Sequence, residues 1–261
     1  MPELQILCDS NPANGAKDLA ADGSRFTVDL VEGIYLNGAK DIAVSLESAK
    51  IWYTFLNVFE DVNDSLYLTV DGTNVTLVLP PGLYELNELQ STLNLLWAND
   101  NTTPAGVDQF PLSIIPNWST QKVILANIDD NEAVSVDFTQ PDTFREILGF
   151  NSGVVNIPAG QNEDGDEIAK FNVFNNLYVC TDLCAGIRIN SNFHNVIAEV
   201  PLGKPHSQIV YEPYRPIECS APELQFQPIR KFSVWLTDEK NNPIHTNGEF
   251  WSARLRVSWK E

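Results

Sequence analysis

The sequence predicts a mainly β protein, a sandwich of short strands with an α+β subdomain inserted into it. Two observations predict the sandwich. Runs in which apolar and polar residues alternate recur along most of the chain, and Gly, Pro and Asn turn signals separate them at roughly 10–20-residue intervals. A third observation marks the insertion: the middle of the chain has its own hairpin, its own helix and a different charge. The chain has 261 residues, 43% of them hydrophobic. That is enough to bury a large core without disulfide or metal staples.

Taken in order, residues 1–24 are rich in turn formers: Asp9-Ser10-Asn11-Pro12, Asn14-Gly15 and Asp22-Gly23-Ser24. They read as an N-terminal arm. Phe26-Thr27-Val28-Asp29-Leu30 alternates as a strand with one wet face. After the Asn37-Gly38 turn, Ile42 to Phe55 reads as one long strand, bulged near Ser48-Ala49. Leu66–Val70 and Val75–Leu79 flank Asp71-Gly72, a strong hairpin dipeptide. Pro80-Pro81-Gly82 then breaks the chain. Leu86, Leu89, Leu93 and Leu96-Trp97 follow at helical spacing, with Tyr84 or Asn87 near the helix start. Strands are expected at 112–115, 122–126 and 133–138. Asp142 to Phe150 reads as a capped helical turn closed by Gly149. Residues 151–170 read as a polar loop. From Asn172 onward the pattern is strand throughout: 177–180, 186–189, 195–200, 208–211, 232–236 and 250–259. The expected organisation is an arm at 1–24, a sandwich domain made of 25–57 and 171–261, and an inserted, outward-facing subdomain at 58–170.

Charge follows the same division. The formal net charge is −19. Residues 54–170 hold three Lys/Arg against eighteen Asp/Glu, net −15, whereas residues 171–261 hold nine of each. So acidic a chain is a poor partner for nucleic acid or an anionic membrane. No apolar run approaches the ~18 residues of a membrane helix. Met1-Pro2-Glu3-Leu4 resembles no signal peptide, so the chain is expected to be made in the host cell without secretion by a leader.

A search for reactive constellations names no catalytic, cofactor-binding or metal-binding residue. Gly-x-Ser-x-Gly, P-loop and His-Glu-x-x-His patterns are absent from the sequence. The three histidines, His194, His206 and His245, are widely spaced, and Cys8, Cys180, Cys184 and Cys219 form no Cys-x-x-Cys pair. This argues against zinc and for buried free thiols. On one strand Cys180 and Cys184 would lie too far apart for a disulfide, although a turn at Thr181-Asp182-Leu183 could shorten that distance. Asn162 to Glu167 resembles an acidic cation loop but lacks the spacing and distal Glu of an EF-hand. Sequons begin at Asn63, Asn74, Asn101 and Asn117 and read as incidental. Trp235, Trp251 and Trp259 are assigned to the core. Trp97 and Trp118 are weighed as sugar platforms, with core packing preferred.

Four stretches carry a resemblance. They are Phe26–Leu30 with the Ile42–Tyr53 strand; Leu79-Pro80-Pro81-Gly82-Leu83-Tyr84 with its helix; Thr143-Phe144-Arg145-Glu146-Ile147-Leu148-Gly149-Phe150; and Ile209–Tyr214 with Phe232–Lys240. In this order the chain resembles the penton, or minor capsid, proteins of virophages and Polinton-like double-stranded DNA viruses. The resemblance implies a single jelly-roll sandwich with an inserted α+β (β-rich) subdomain that projects outward. It also implies a homopentamer at the five-fold vertices of an icosahedral capsid, set among double jelly-roll major capsid proteins in the virion. No direct contact with nucleic acid is expected, and the inserted subdomain is the place to meet a host receptor. Arg254, Arg256 and Lys260 are expected to offer neighbours the least repulsive surface. The alternative function is a host-attachment or carbohydrate-binding module on a jelly-roll frame. An enzyme is disfavoured because no nucleophile–base pair can be named.

Overall fold

The computed structural model describes residues 2–100, 102–104, 106–129, 131–172, 174–189 and 192–261. The chain divides into two compact units: a frame, residues 1–55 and 174–261, and an insert, residues 56–173.

The frame begins with β1 (Glu3–Asp9), β2 (Arg25–Ile34) and β3 (Lys40–Trp52). The insert follows with β4 (Ser65–Val70), β5 (Thr73–Val78), α1 (Leu86–Asn99), β6 (Leu112–Asn117), β7 (Lys122–Asn127), β8 (Val134–Asp137), α2 (Arg145–Leu148), β9 (Val154–Ile157) and β10 (Asn162–Asp164). The chain then returns to the frame as β11 (Asn176–Thr181), β12 (Ile187–Ile189), β13 (Asn192–His194), β14 (Val196–Pro201), β15 (Gln208–Tyr211), β16 (Cys219–Ser220), β17 (Ile229–Thr237) and β18 (Ser252–Lys260).

Strand order in the frame defines a jelly roll. One sheet runs β1-β18-β3-β15, with β16 beside the other end of β3; the second runs β14-β11-β17-β2. Eight of these strands pair antiparallel as one long hairpin rolled on itself. In frame order the first meets the eighth (β1 with β18), the second the seventh (β2 with β17), the third the sixth (β3 with β15) and the fourth the fifth (β11 with β14). The seams β18–β3 and β17–β11 close the two sheets. Inward positions alternate along each strand, as a half-buried strand requires. Val44, Leu46, Ile51, Leu255 and Val257 come from the first sheet, and Phe26, Val179, Val234 and Leu236 from the second. Phe26 meets Trp251 edge-on, ring centroids 5.0 Å apart, where the two sheets pack.

Two sequence readings need correction here. Residues 1–24 are not an arm: Glu3–Asp9 is the first strand of the jelly roll, bonded along its length to β18, with Ile6 and Cys8 buried. The turn formers after Asp9 dominate the composition of that window and hide the Leu4/Ile6/Cys8 alternation. Nor is 151–170 only a loop. Val154–Ile157 pairs with β8, and the wholly exposed Asn162–Asp164 pairs with β7. An edge strand that buries nothing carries no apolar signal. The bulge in β3 lies one residue before the expected place: Arg254 faces Ser48 and Leu255 faces Leu46, leaving Glu47 as the extra residue.

The insert interrupts the connection between the third and fourth jelly-roll strands. It has two sheets, β5-β4-β8-β9 and β10-β7-β6, and a core of its own. The helix contributes Leu89, Leu93 and Trp97 to that core. Glu85 caps the helix, and its N–H donates to the Glu88 carboxylate at 3.0 Å. Buried Asn57 ties the start of the insert to its end. Its Nδ2 donates to the carbonyls of Tyr84 (2.8 Å) and Phe171 (3.0 Å), and its Oδ1 accepts the Tyr84 N–H (2.8 Å). Gly149 ends α2 at φ +80°, where a Cβ would collide with the Glu167 carbonyl oxygen.

Candidate interaction surfaces

The three cations of the insert each meet a local partner within the insert. Lys122 Nζ donates to the Asp166 carbonyl at 2.8 Å, and Lys170 pairs with Glu167 at 2.9 Å. Arg145 approaches Glu146 at 4.0 Å. A polar cleft of about 300 Å³ between α2 and residues 167–170 holds Arg145 and Lys170 together with Glu146 and Glu167, so its charges balance locally. The Asn162–Glu167 stretch does not gather its carboxylates. Asn162–Asp164 lie along an edge strand, Asp166 accepts the Asn151 N–H at 2.8 Å, and Glu167 faces Lys170. No group of three or more His, Cys, Asp or Glu suited to a metal ion occurs among the described residues.

The two tryptophans of the insert differ. Trp97 is 2% exposed, packs edge-on to Phe110 at 5.9 Å, and donates its Nε1–H to the Val107 carbonyl at 3.0 Å. It is core. Trp118 is 86% exposed at the tip of the β6–β7 hairpin, which corrects the core assignment. The tip is tightly built. Asn117 Oδ1 accepts the N–H groups of Ser119 (3.2 Å) and Thr120 (3.3 Å), and the Gln121 N–H closes onto the Asn117 carbonyl at 2.8 Å. A rigid turn therefore holds an indole in solvent, where burial gives it no return.

On the frame, the three C-terminal cations are not equivalent. Arg256, on β18, is surrounded by Glu47 (3.0 Å), Glu218 (3.5 Å) and Glu3 (3.9 Å). Its Nε and Glu47 Oε1 are buried as an ion pair too poorly aligned for a hydrogen bond. Lys260 pairs with Asp41 at 2.9 Å, which holds the Asp41 carboxyl below and the Lys260 ammonium above their ordinary values. Arg254 is exposed and lies between Leu7 on β1 and Ser48 on β3 by register. Trp251 is buried. Trp235 is partly buried under the Arg25 guanidinium, 5.0 Å from its ring centre, and Trp259 is also partly buried. The sequence reading missed the exposed aromatics in the segment between β15 and β17, Tyr214 (94%) and Phe226 (81%), and Val31 on edge strand β2, 96% exposed. Exposed and buried apolar residues look alike in a sequence without strand register.

All four cysteines belong to the frame, and all are buried. Burial pushes the Cys8 and Cys180 thiols up to about 12. The mutual influence of Cys184 and Cys219, together with burial, holds the Cys184 thiol above its ordinary value, and the same influence holds the Cys219 thiol below.

No family model matches this sequence, and no curated protein matches it. Among solved structures, the crystal structure of the selenomethionine-labelled mavirus penton protein is similar in fold. The correspondence covers 99% of both chains at a TM-score of 0.50 and 10% sequence identity.

Proposed function

We propose that this chain is a structural capsid protein, the penton that closes the five-fold vertices of an icosahedral virion as a homopentamer. The observation that carries the proposal is the extent of the fold likeness. It spans 99% of both this chain and the mavirus penton protein, and so includes the insert as well as the jelly roll. The charge division agrees with it. A ring of copies brings like surfaces together, so it is best made through the frame, which holds thirteen cations against seventeen acids, while the insert, at −15, points outward into solvent. The neighbours at a vertex are double jelly-roll major capsid proteins.

Native mass spectrometry across ionic strength, with and without the major capsid protein, tests the oligomer. The expected species is five times the 29.1 kDa chain, favoured by salt that screens self-repulsion or by the partner. A stable dimer or trimer under every condition overturns the proposal.

Trp118 supports a second, compatible reading, in which the insert attaches to a host surface through a glycan. An exposed indole on a rigid turn is a suitable stacking platform for a sugar ring. Glycan-array binding that Trp118→Ala abolishes supports this reading; binding that survives the substitution excludes Trp118 as the platform.

A further inference from the structure

We propose that the cleft between α2 and residues 167–170 binds a carboxylated sugar, with the carboxylate seated on the Arg145 guanidinium. Such a ligand names a receptor class for the attachment reading of the insert, on which its biological use rests. Binding itself depends neither on the capsid reading nor on Trp118.

The walls of this cleft, about 300 Å³ in volume, are fixed before any ligand arrives. The Glu167 N–H donates to the Gly149 carbonyl and the Lys170 N–H to the Ile147 carbonyl, both at 2.8 Å, which laces the return segment to α2. Gly149, at φ +80°, brings the two backbones so close that no Cβ fits between them. Asn151, a further lining residue, is held by its N–H bond to the Asp166 carboxylate at 2.8 Å. The volume is at the lower end for small-molecule sites and suits a single sugar residue.

The class of ligand follows from what the charged groups leave unmet. The insert has eighteen acidic side chains and three basic ones, yet two of the three, Arg145 and Lys170, line this one cleft. Lys170 is committed to Glu167 at 2.9 Å. Arg145 is not committed in this way. The Glu146 carboxylate stands 4.0 Å from its Nη2, beyond hydrogen-bond reach, and no hydrogen bond to the Arg145 side chain occurs among the described residues. Arginine carries five N–H donors in a planar fork, and this side chain is only 27% exposed. A guanidinium so shielded, on a cleft and without an acceptor, calls for an anion, and a carboxylate matches its fork with two parallel bonds. The acids are more exposed than the arginine, at 81% for the Glu146 side chain and 56% for that of Glu167. They repel a dianion such as phosphate more than a monoanion, and they accept hydrogen bonds from hydroxyl groups. One carboxylate with several hydroxyls meets both conditions, and a carboxylated sugar carries that set. The cleft also neighbours the exposed indole. The Ala169 N–H donates to the Gln121 carbonyl at 3.1 Å, and Gln121 closes the turn that carries Trp118. One segment of chain thus walls the cleft and braces the stacking platform.

The test uses the full chain, isotope-labelled and titrated by NMR with the methyl glycosides of glucuronic, galacturonic and N-acetylneuraminic acid. Methyl glucoside, the methyl esters of the three acids and inorganic phosphate are the controls. At least one acid should shift the amides of Gly149, Asn151, Glu167 and Lys170 saturably. Its methyl ester and methyl glucoside should bind roughly 10–100-fold more weakly, the loss expected for a charge-assisted pair. Arg145→Gln should weaken the acid to a similar extent and Arg145→Lys only in part, because the ammonium keeps the charge and loses the fork. Trp118→Ala should leave binding of these single sugars unchanged. No saturable shift at these amides with any of the three acids overturns the proposal, as does equal binding of acid and ester, or tighter binding of phosphate than of every acid. The ester comparison is made on the wild-type chain and needs no variant to fold. A glycan held through Trp118 while the cleft amides stay unmoved upholds the attachment reading and overturns this one.

Discussion

The frame and the insert solve different problems with the same strand vocabulary. The frame is nearly neutral for its size and holds every cysteine and histidine of the chain. Its one buried arginine pair is internal, and its eight main strands form a single rolled hairpin. The insert has eighteen acidic side chains, two small sheets and a helix, and a hydrophobic core that needs nothing from the frame. The ends of the frame that carry the insert lie together: Phe55 and Phe174 have ring centres 5.3 Å apart. An insertion whose exit and return are adjacent adds a second folding unit without stretching the first. The lesson is that charge and core can be allotted to separate units while one chain threads both.

The strongest way to break this comparison is excision. Replacing residues 56–173 by a short Gly/Ser linker should leave a frame with one cooperative β-type melting transition, read by circular dichroism. Loss of all cooperative structure would mean that the frame depends on the insert. Next in size, Trp97→Ala removes a fully packed indole and should destabilise the insert by about 3–5 kcal/mol, while the frame's transition moves little. Hydrogen exchange read by mass spectrometry on peptides from 56–173 and from the frame along a denaturant series separates the two. Asn57→Ala strips three hydrogen bonds to partly buried partners within the insert and should cost about 2–3 kcal/mol, seen as a lower midpoint and faster exchange of the Tyr84 amide. The smallest effect belongs to the frame surface. Lys260→Met removes the Asp41 partner, and the melting temperature at neutral pH should change only slightly. The sign with pH is set by the two shifts. Asp41 is held below its ordinary value, so its contribution vanishes as pH falls below about 4. Lys260 is held above its ordinary value, so its contribution vanishes as pH rises beyond about 10.5. The wild-type and variant melting curves should therefore converge at both extremes.

Much of the fold is legible in the sequence because strand periodicity is local. The Asp71-Gly72 hairpin, the Leu86–Asn99 helix and the long β3 with its bulge follow from neighbours in sequence. What sequence hides is whatever depends on a distant partner. β1 becomes a strand by pairing with β18, some 250 residues away, and β10 by bonding to β7 with nothing to bury. The candidate surfaces are less legible for the same reason. Trp97 and Trp118 differ only in which side of a fold they reach. Arg256 reads as a free surface cation until Glu3, Glu47 and Glu218 are brought around it.

The most direct test of the proposed role is a cryo-electron microscopy map of the virion with five-fold symmetry imposed only after the vertices are located. The account predicts density for five copies at each vertex, the frame strands against their neighbours and residues 56–173 farthest from the particle centre. Vertices filled by a different chain, or five-fold contacts made through residues 56–173, would contradict it.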